Sequence, residues 1–134
     1  MKAGAYQLLT AEQLAIEAAR AADDKKATDV RIMDMRDTLG ITDYFVIASG
    51  RNERQVRRLQ DAVEEKLREH GVKPVRREGM RFRRWILLDY IDVVVHIFLD
   101  EDREFYNLER LWGNVPIVEW SGPRANEPDS ASGS

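Results

Sequence analysis

TDYFVIASGRNERQVRRLQDAVEEKLRE, residues 42 to 69, is the stretch that decides the fold. Its first part, Thr42 to Ser49, is nearly continuous in apolar residues, which predicts a strand buried on both faces. Gly50 ends that strand, and Asn52 is placed to cap a helix predicted from Glu53 to Glu69. A strand, a helix and a return strand form a βαβ-like crossover, which is right-handed if the strands are parallel.

The segments on both sides add further strands and helices to this unit. Their periodicity predicts the following elements: helix Ala11 to Asp24, strands Thr28 to Met35, Val72 to Arg76, Trp85 to Asp89 and Asp92 to Leu99, and helix Arg103 to Trp112. Thr10 and Gln13 form a capping box for the first helix, and Asp100 is predicted to cap the last one. Only two residues separate the last two strands, which predicts a hairpin.

The order of these elements predicts the fold class and its limits. We expect an α/β (α+β) fold, with a mixed sheet of about five strands flanked by helices, in one domain over residues 1–120. From Ser121 the composition turns to Ser, Gly, Pro, Asn and Asp. We expect residues 121–134 to be a disordered tail.

Composition excludes several classes of protein. The chain has 134 residues and no cysteine, so it can form neither a disulfide framework nor a thiolate metal site. It contains no apolar run of the roughly 20 residues that span a bilayer, and its first residues lack the apolar core of a signal peptide. We therefore expect no membrane contact and a soluble cytoplasmic protein.

Charge is abundant but nearly balanced. Charged residues make up 34% of the chain, and the net charge is −3. The charges cluster in three groups: Arg51, Arg54, Arg57 and Arg58; Lys73, Arg76, Arg77, Arg81, Arg83 and Arg84; Asp100, Glu101, Asp102 and Glu104. A nucleic-acid binder that relies on electrostatics alone is usually basic, so this balance argues against one. Solvated faces and a dipolar docking surface both stay open.

The sequence contains only fragments of known catalytic motifs. Ser49 and Gly50 end a strand before a helix, as in a phosphate-binding turn, but no P-loop lysine and no G-x-G-x-x-G accompany them. A nucleotidyltransferase also needs closely spaced carboxylates for its metal ions. Glu53 is the only acidic residue from 51 to 60, and Asp61 has no acidic neighbour two residues away. We predict no catalytic residue, no cofactor and no metal.

His96 lies in an apolar strand, where it could act as a general base or pack as a structural residue. Asp92 is on the same face of that strand but about 13 Å away, beyond hydrogen-bond reach. No nucleophile motif lies nearby, so a hydrogen-bonded structural histidine is favoured.

The aromatic residues are the better indication of function. Six of them fall between residues 85 and 112. Strand alternation places Trp85, Leu87 and Asp89 on one face, and Ile86, Leu88 and Tyr90 on the other. If helices cover only one face, the other presents an aromatic ring beside arginines, a composition typical of protein-binding hot spots. Plain core packing of Trp85 is the equally open alternative.

Several motifs together resemble the Iojap family of ribosomal silencing factors. They are segments 42–50, 52–56, 85–90, 92–98 and 103–112, in the right order and spacing over residues 10 to 120. The resemblance implies a nucleotidyltransferase-like fold without the catalytic carboxylates, hence no enzyme. It implies binding to the large ribosomal subunit through its protein numbered fourteen, which blocks association with the small subunit and represses translation under nutrient limitation. It also implies a homodimer when the protein is free.

The resemblance also implies which residues dock. They are Trp85, Leu87, Leu88, Asp89 and Tyr90, with Asp92 and His96 as additions. The arginine-rich segment 81–84 departs from the family pattern and suggests a minor contact with ribosomal RNA. Two alternatives stay open: an assembly factor of the large subunit, and a degenerate nucleotidyltransferase-like protein that binds a nucleotide at Ser49 and Gly50.

Overall fold

The computed structural model describes residues 9–38, 40–107, 110 and 113–120. Its elements in chain order are α1 (Ala11–Asp24), β1 (Thr28–Asp34), β2 (Tyr44–Gly50), α2 (Glu53–Glu69), β3 (Arg76–Glu78), β4 (Trp85–Asp89), β5 (Val93–Leu99) and α3 (Asp100–Tyr106). The strands form one five-stranded sheet in the order β1-β2-β5-β4-β3. Only β2 and β5 pair in parallel, and the other neighbours are antiparallel. The predicted mixed sheet flanked by helices is confirmed.

The centre of the sheet is the pair β2 and β5. Every residue of β2 is buried, as its continuous apolar run predicts. Val46 pairs with Val95 in the middle of the parallel register, and neither is exposed to solvent. The strand that returns after α2 to pair with β2 is therefore β5, since β3 and β4 lie farther out.

Helices α1 and α2 pack on one face of this sheet. The predicted bounds of both are confirmed, as are the Thr10 and Gln13 capping box and the Asn52 cap. Ala15, Ala18 and Ala19 of α1 are fully buried. Their small side chains let the helix backbone approach the sheet and α2 closely.

The third strand corrects the prediction. It was expected at Val72 to Arg76, but β3 spans Arg76–Glu78. The Val72 amide instead donates to the Leu67 carbonyl and closes the end of α2. Pro74 has no amide hydrogen for a ladder, so pairing with β4 starts only where the Val75 amide reaches the Asp89 carbonyl.

The last helix also corrects the prediction. It was expected at Arg103 to Trp112 with Asp100 as its cap, but α3 begins at Asp100 and ends at Tyr106. Leu99 occupies the N-cap position and provides no side-chain hydrogen bond. Asn107 has a left-handed conformation, with φ of 41°, and this ends the helix. Residues 108, 109, 111 and 112, and the predicted tail 121–134, lie outside the described residues.

The face of the sheet opposite α1 and α2, here called the open face, has a smaller core of its own. It consists of Met33, Met35, Phe45, Ile47 and Phe98, with Trp85, Val94 and Val115 packed against it. The segment 113–120 runs beside β1, where Ile117 bridges Met33 and the Asp34 amide donates to the Pro116 carbonyl. This segment shields the β1 side of the open face and leaves the β4 side to solvent.

Gly79, in the turn that leads into β4, packs closely against the backbone of β4. It has φ of +88°, and a Cβ there would overlap the carbonyl oxygen of Trp85. We expect Gly79→Ala to lower the free energy of unfolding by about 3 kcal/mol or more, because backbone strain and overpacking add. Urea denaturation measures it.

Gly40→Ala is the matched control. Gly40 also has positive φ, but no atom lies within 4 Å of a Cβ there. Only backbone strain applies, so the loss should be about 1 kcal/mol. Equal losses for the two variants would contradict the close approach at Gly79.

Candidate partner-binding site

The alternation along β4 divides the predicted docking residues between two faces. Trp85, Leu87 and Asp89 lie half-buried on the open face. Leu88 has no exposed surface, and Tyr90 is 6% exposed, because both point into the core beneath α1 and α2. The structure therefore does not bring all the predicted residues to one surface, because Leu88 and Tyr90 lie in the core.

Trp85 is held flat against the open face by two neighbours. Its ring stacks on Phe98, with centroids 4.9 Å apart and an interplanar angle of 28°. Its indole Nε1 donates a hydrogen bond to Nδ1 of His96, at 3.1 Å. The indole is thus fixed in orientation while part of its surface remains accessible.

His96 lies beneath Trp85 and is 4% exposed. Burial lowers its pKa to about 4, so the imidazole is neutral near pH 7. Because Nδ1 accepts from the indole, the ring proton is on Nε2, which is buried without a hydrogen-bond partner among the described residues. The interpretation of His96 as a hydrogen-bonded structural residue is consistent with this geometry. His96 thus fixes the orientation of Trp85 and also lines the floor of the neighbouring pocket.

A shallow pocket of about 200 Å³ opens next to Leu87 on the open face. Its apolar lining comes from three separate parts of the chain: Ile41, Phe45, Leu87, Ile91 and Val94. Ile41 and Ile91 are 78% and 58% exposed, an unusual placement for side chains of this size. We call Ile41, Trp85, Leu87, Asp89, Ile91 and Val94 the docking patch.

Asp89 organises the edge of the docking patch. One carboxylate oxygen accepts from the Ile91 amide at 2.8 Å, and the other pairs with Arg76 at 3.3 Å. Ile91 has φ of 76°, a conformation that a β-branched residue rarely adopts. The Asp89 bond therefore holds Ile91 in a strained position that exposes its side chain. Asp92, which follows, is also exposed.

Sequence reasoning missed Ile41, Phe45, Ile91 and Val94. Phe45 and Val94 lie on strands that predict burial, and they line the pocket because α1 and α2 cover the other face of the sheet. One signal was available: Ile91 stands in a tight hairpin, where glycine or asparagine is typical.

The Ser49 end of β2 is occupied by an arginine. Ser49 is 1% exposed, and its hydroxyl donates to the Thr28 carbonyl and accepts from Arg103. Arg103 also donates to the carbonyls of Thr28 and Asp29. In the part of the chain that the structure describes, no group of three potential metal ligands occurs, and no helix is long and apolar enough to cross a membrane.

Comparison with known proteins gives one consistent family. Residues 9–134 match the model of the family described as ribosomal silencing factor during starvation. The chain is 39% identical to the ribosomal silencing factor RsfS of Bacillus subtilis (strain 168) over 102 residues, which cover 76% of this chain and 86% of that protein. A crystal structure of a protein from Chromobacterium violaceum is similar, with a TM-score of 0.75, 32% identity, and coverage of 87% of this chain and 97% of that chain.

A more distant relative bears a different name. The chain is 30% identical over 91 residues to a Mus musculus protein named mitochondrial assembly of ribosomal large subunit protein 1. The match covers 66% of this chain and 40% of the mouse protein.

The lowered pKa of His96 predicts a pH dependence of stability. In the unfolded chain the pKa returns toward 6.5, so between about pH 4 and 6.5 the unfolded state binds more protons than the folded state. Stability from the neutral imidazole is therefore fully present above pH 6.5 and lost as the pH falls toward 4. We expect this loss to be on the order of 3 kcal/mol, measured by urea denaturation at several pH values.

His96→Gln keeps an acceptor for the indole but cannot titrate in this range. The difference in unfolding free energy between wild type and this variant should shrink as the pH falls from 7 to 4. His70→Gln removes the other histidine of the chain, at the end of α2, and serves as the control. A constant difference for His96→Gln over the whole range would refute the buried neutral histidine.

Proposed function

Because the chain belongs to the family of ribosomal silencing factors, we propose that it binds the large ribosomal subunit through the docking patch and so blocks association with the small subunit. The observation that carries the proposal is the apolar surface on the open face, where exposed isoleucines line a pocket around Leu87 and Trp85 is fixed beside it. Steric exclusion needs only binding at the surface where the subunits join. Repression of translation under nutrient limitation follows from fewer joined ribosomes.

The proposed contact is the protein numbered fourteen of the large subunit, which the family resemblance implies. The name of the mouse relative, which refers to the large subunit, supports that choice of subunit. In this proposal Trp85, Leu87 and Asp89 touch the partner directly, with Asp92 at the rim. Leu88, Tyr90 and His96 support that surface from below.

The chemistry of the docking patch suits a protein partner. A half-exposed indole and leucine beside exposed isoleucines supply apolar area that loses water on contact. The Arg76 and Asp89 ion pair lies at the edge, where charges set orientation and association rate more than affinity. The pocket of about 200 Å³ is large enough to receive one side chain of the partner.

This function requires no catalysis, and we propose that the protein is not an enzyme. The family name describes a silencing factor. Ribosomal subunits join in the cytoplasm, which is therefore the proposed site of action. We also propose that the free protein forms a homodimer through the docking patch, so that self-association and subunit binding compete for the same surface.

An assembly factor of the large subunit is the second candidate function, because the name of the mouse relative describes assembly. The same docking patch would serve it. The difference lies in whether the protein prefers immature or finished large subunits.

Trp85→Ala tests the docking patch. Loss of this fixed aromatic anchor should raise the Kd for purified large subunits by about 30-fold, equivalent to about 2 kcal/mol. Equilibrium sedimentation or fluorescence titration with large subunits measures it.

Trp120→Ala is the matched control for this change. Trp120 is also half-buried and hydrogen-bonded, through Nε1 to the Val30 carbonyl at 3.3 Å, but it packs against the helix-side core. Its Kd should stay within about threefold of wild type, which is below 1 kcal/mol. A similar loss for both tryptophans would show that Trp85 acts through stability alone.

Sucrose-gradient sedimentation of mixed subunits tests the function itself. Added wild-type protein should migrate with the large subunit and reduce the fraction of joined ribosomes, whereas Trp85→Ala should do neither. If the protein binds finished large subunits but joined ribosomes are undiminished, the silencing proposal is wrong. If it binds only immature large subunits, the assembly function replaces it.

A further inference from the structure

The arginines of this chain fall into a paired set and an unpaired set. The paired set includes Arg31, Arg36, Arg76, Arg77, Arg84 and Arg103, each within 4.0 Å of a carboxylate oxygen. No ion pair to another described residue is found for Arg68, near the end of α2, or for a group of six others: Arg51, Arg54, Arg57, Arg58, Arg81 and Arg83. We call these six residues the basic end.

Four residues of the basic end lie at the N-terminus of α2, where positive charge is unfavourable. Arg51 precedes α2, and Arg54, Arg57 and Arg58 lie in its first turns, all of them exposed. The helix dipole places partial positive charge at this terminus, so cations there are destabilising. Like charges three and four residues apart also repel. Glu53 and Asp61 lie four residues from Arg57, but no ion pair to either of these described residues is found, so the helix dipole does not account for this cluster of arginines.

The sheet topology brings the remaining two to the same end of the molecule. Ser49 and Trp85 both lie opposite Phe98, so the end of β2 and the start of β4 share one end of the sheet. With β5 between them, these strands are about 10 Å apart. Arg81 and Arg83 lie in the turn just before β4, and Arg51 follows β2.

The turn before β4 also exposes an aromatic ring. Phe82 is 66% exposed, and the Arg81 guanidinium lies 5.3 Å from its ring centroid. A hydrogen bond from the Arg83 amide to the Gly79 carbonyl closes the turn at 3.0 Å. An exposed ring beside a guanidinium is a surface on which a nucleic-acid base stacks.

We propose that the basic end binds the phosphate backbone of RNA, with Phe82 stacking on an unpaired base. The inference rests on the proposed function, since the RNA is that of the large subunit held by the docking patch. Arginine suits this role because its planar guanidinium donates two parallel hydrogen bonds to a phosphate. Trp85 of the docking patch comes two residues after Arg83, so the turn that carries Arg81 to Arg83 adjoins the docking patch along the chain.

Acidic residues at the same end do not cancel this surface. Arg84 pairs with the carboxylates of Glu101 and Asp102, at 3.3 and 2.8 Å, so it offsets one of their two negative charges and is engaged within the fold. Arg84 is therefore left out of the proposed RNA contact. The net charge of −3 limits nonspecific binding, so the basic end adds affinity mainly once the docking patch is engaged.

The test neutralises three arginines together, as Arg54→Gln, Arg57→Gln and Arg58→Gln. We expect the Kd for purified large subunits to rise at least tenfold at about 150 mM KCl. The slope of log Kd against log salt, between about 50 and 200 mM, should fall by about 2, for three lost phosphate contacts. Thermal unfolding should not occur at a lower temperature, because the change relieves repulsion at the helix terminus.

The control removes three positive charges around the other end of α2, as Lys66→Gln, Arg68→Gln and Lys73→Gln. It should change the Kd less than threefold and leave the salt slope within about 0.5 of wild type. Phe82→Ala should weaken binding several-fold without changing the slope, since it removes stacking and no charge.

The outcomes separate this inference from the proposed function. If wild type binds large subunits and the triple variant matches it in Kd and salt slope, the basic end does not bind RNA, and the docking proposal stands. If wild type does not bind large subunits, both proposals fail.

Cross-linking identifies the partner class. The chain has no cysteine, so Arg58→Cys can carry a single photo-activated cross-linker. Cross-links to ribosomal RNA support the inference. Cross-links only to ribosomal protein overturn it in favour of an acidic protein surface.

Discussion

The parallel pairing of β2 with β5 is the constraint on which the rest of the structure depends. Every side chain of β2 is buried, so the strand needs cover on both faces. Helices α1 and α2 supply it on one face only. The open face is covered by its own large side chains and by segment 113–120, which reaches the β1 side. The apolar surface beside β4 lies on the face of the sheet that α1 and α2 do not cover.

The sequence predicts this fold well wherever a pattern is local. Apolar periodicity and capping residues give α1 and α2 their observed bounds, because both signals lie within each helix. The errors at β3 and α3 have tertiary or single-residue causes. Val72 belongs to the end of α2 rather than to a strand, and Asn107 adopts a left-handed conformation that helix periodicity does not reveal.

The candidate site is predicted only in part for the same reason. Alternation along β4 correctly separates Trp85, Leu87 and Asp89 from Leu88, whereas the family resemblance groups all of them as docking residues. Resemblance identifies a segment, and burial then decides which of its side chains face outward. Ile41 and Ile91 could not be assigned to the patch from sequence, because they come from separate loops that meet only in the folded chain.

The end of β2 and the open face differ in what their polar groups do. At the end of β2, the place of a phosphate-binding turn, Arg103 fills the space and bonds to Ser49 and to backbone carbonyls. A phosphate there would have to displace bonds that join α3 to β1 and β2. On the open face, by contrast, the neutral His96 fixes Trp85 and leaves its ring partly accessible. In both places the polar groups hold other parts of the chain in position. This arrangement favours a protein that binds a partner through its surface over an enzyme with a reactive cleft.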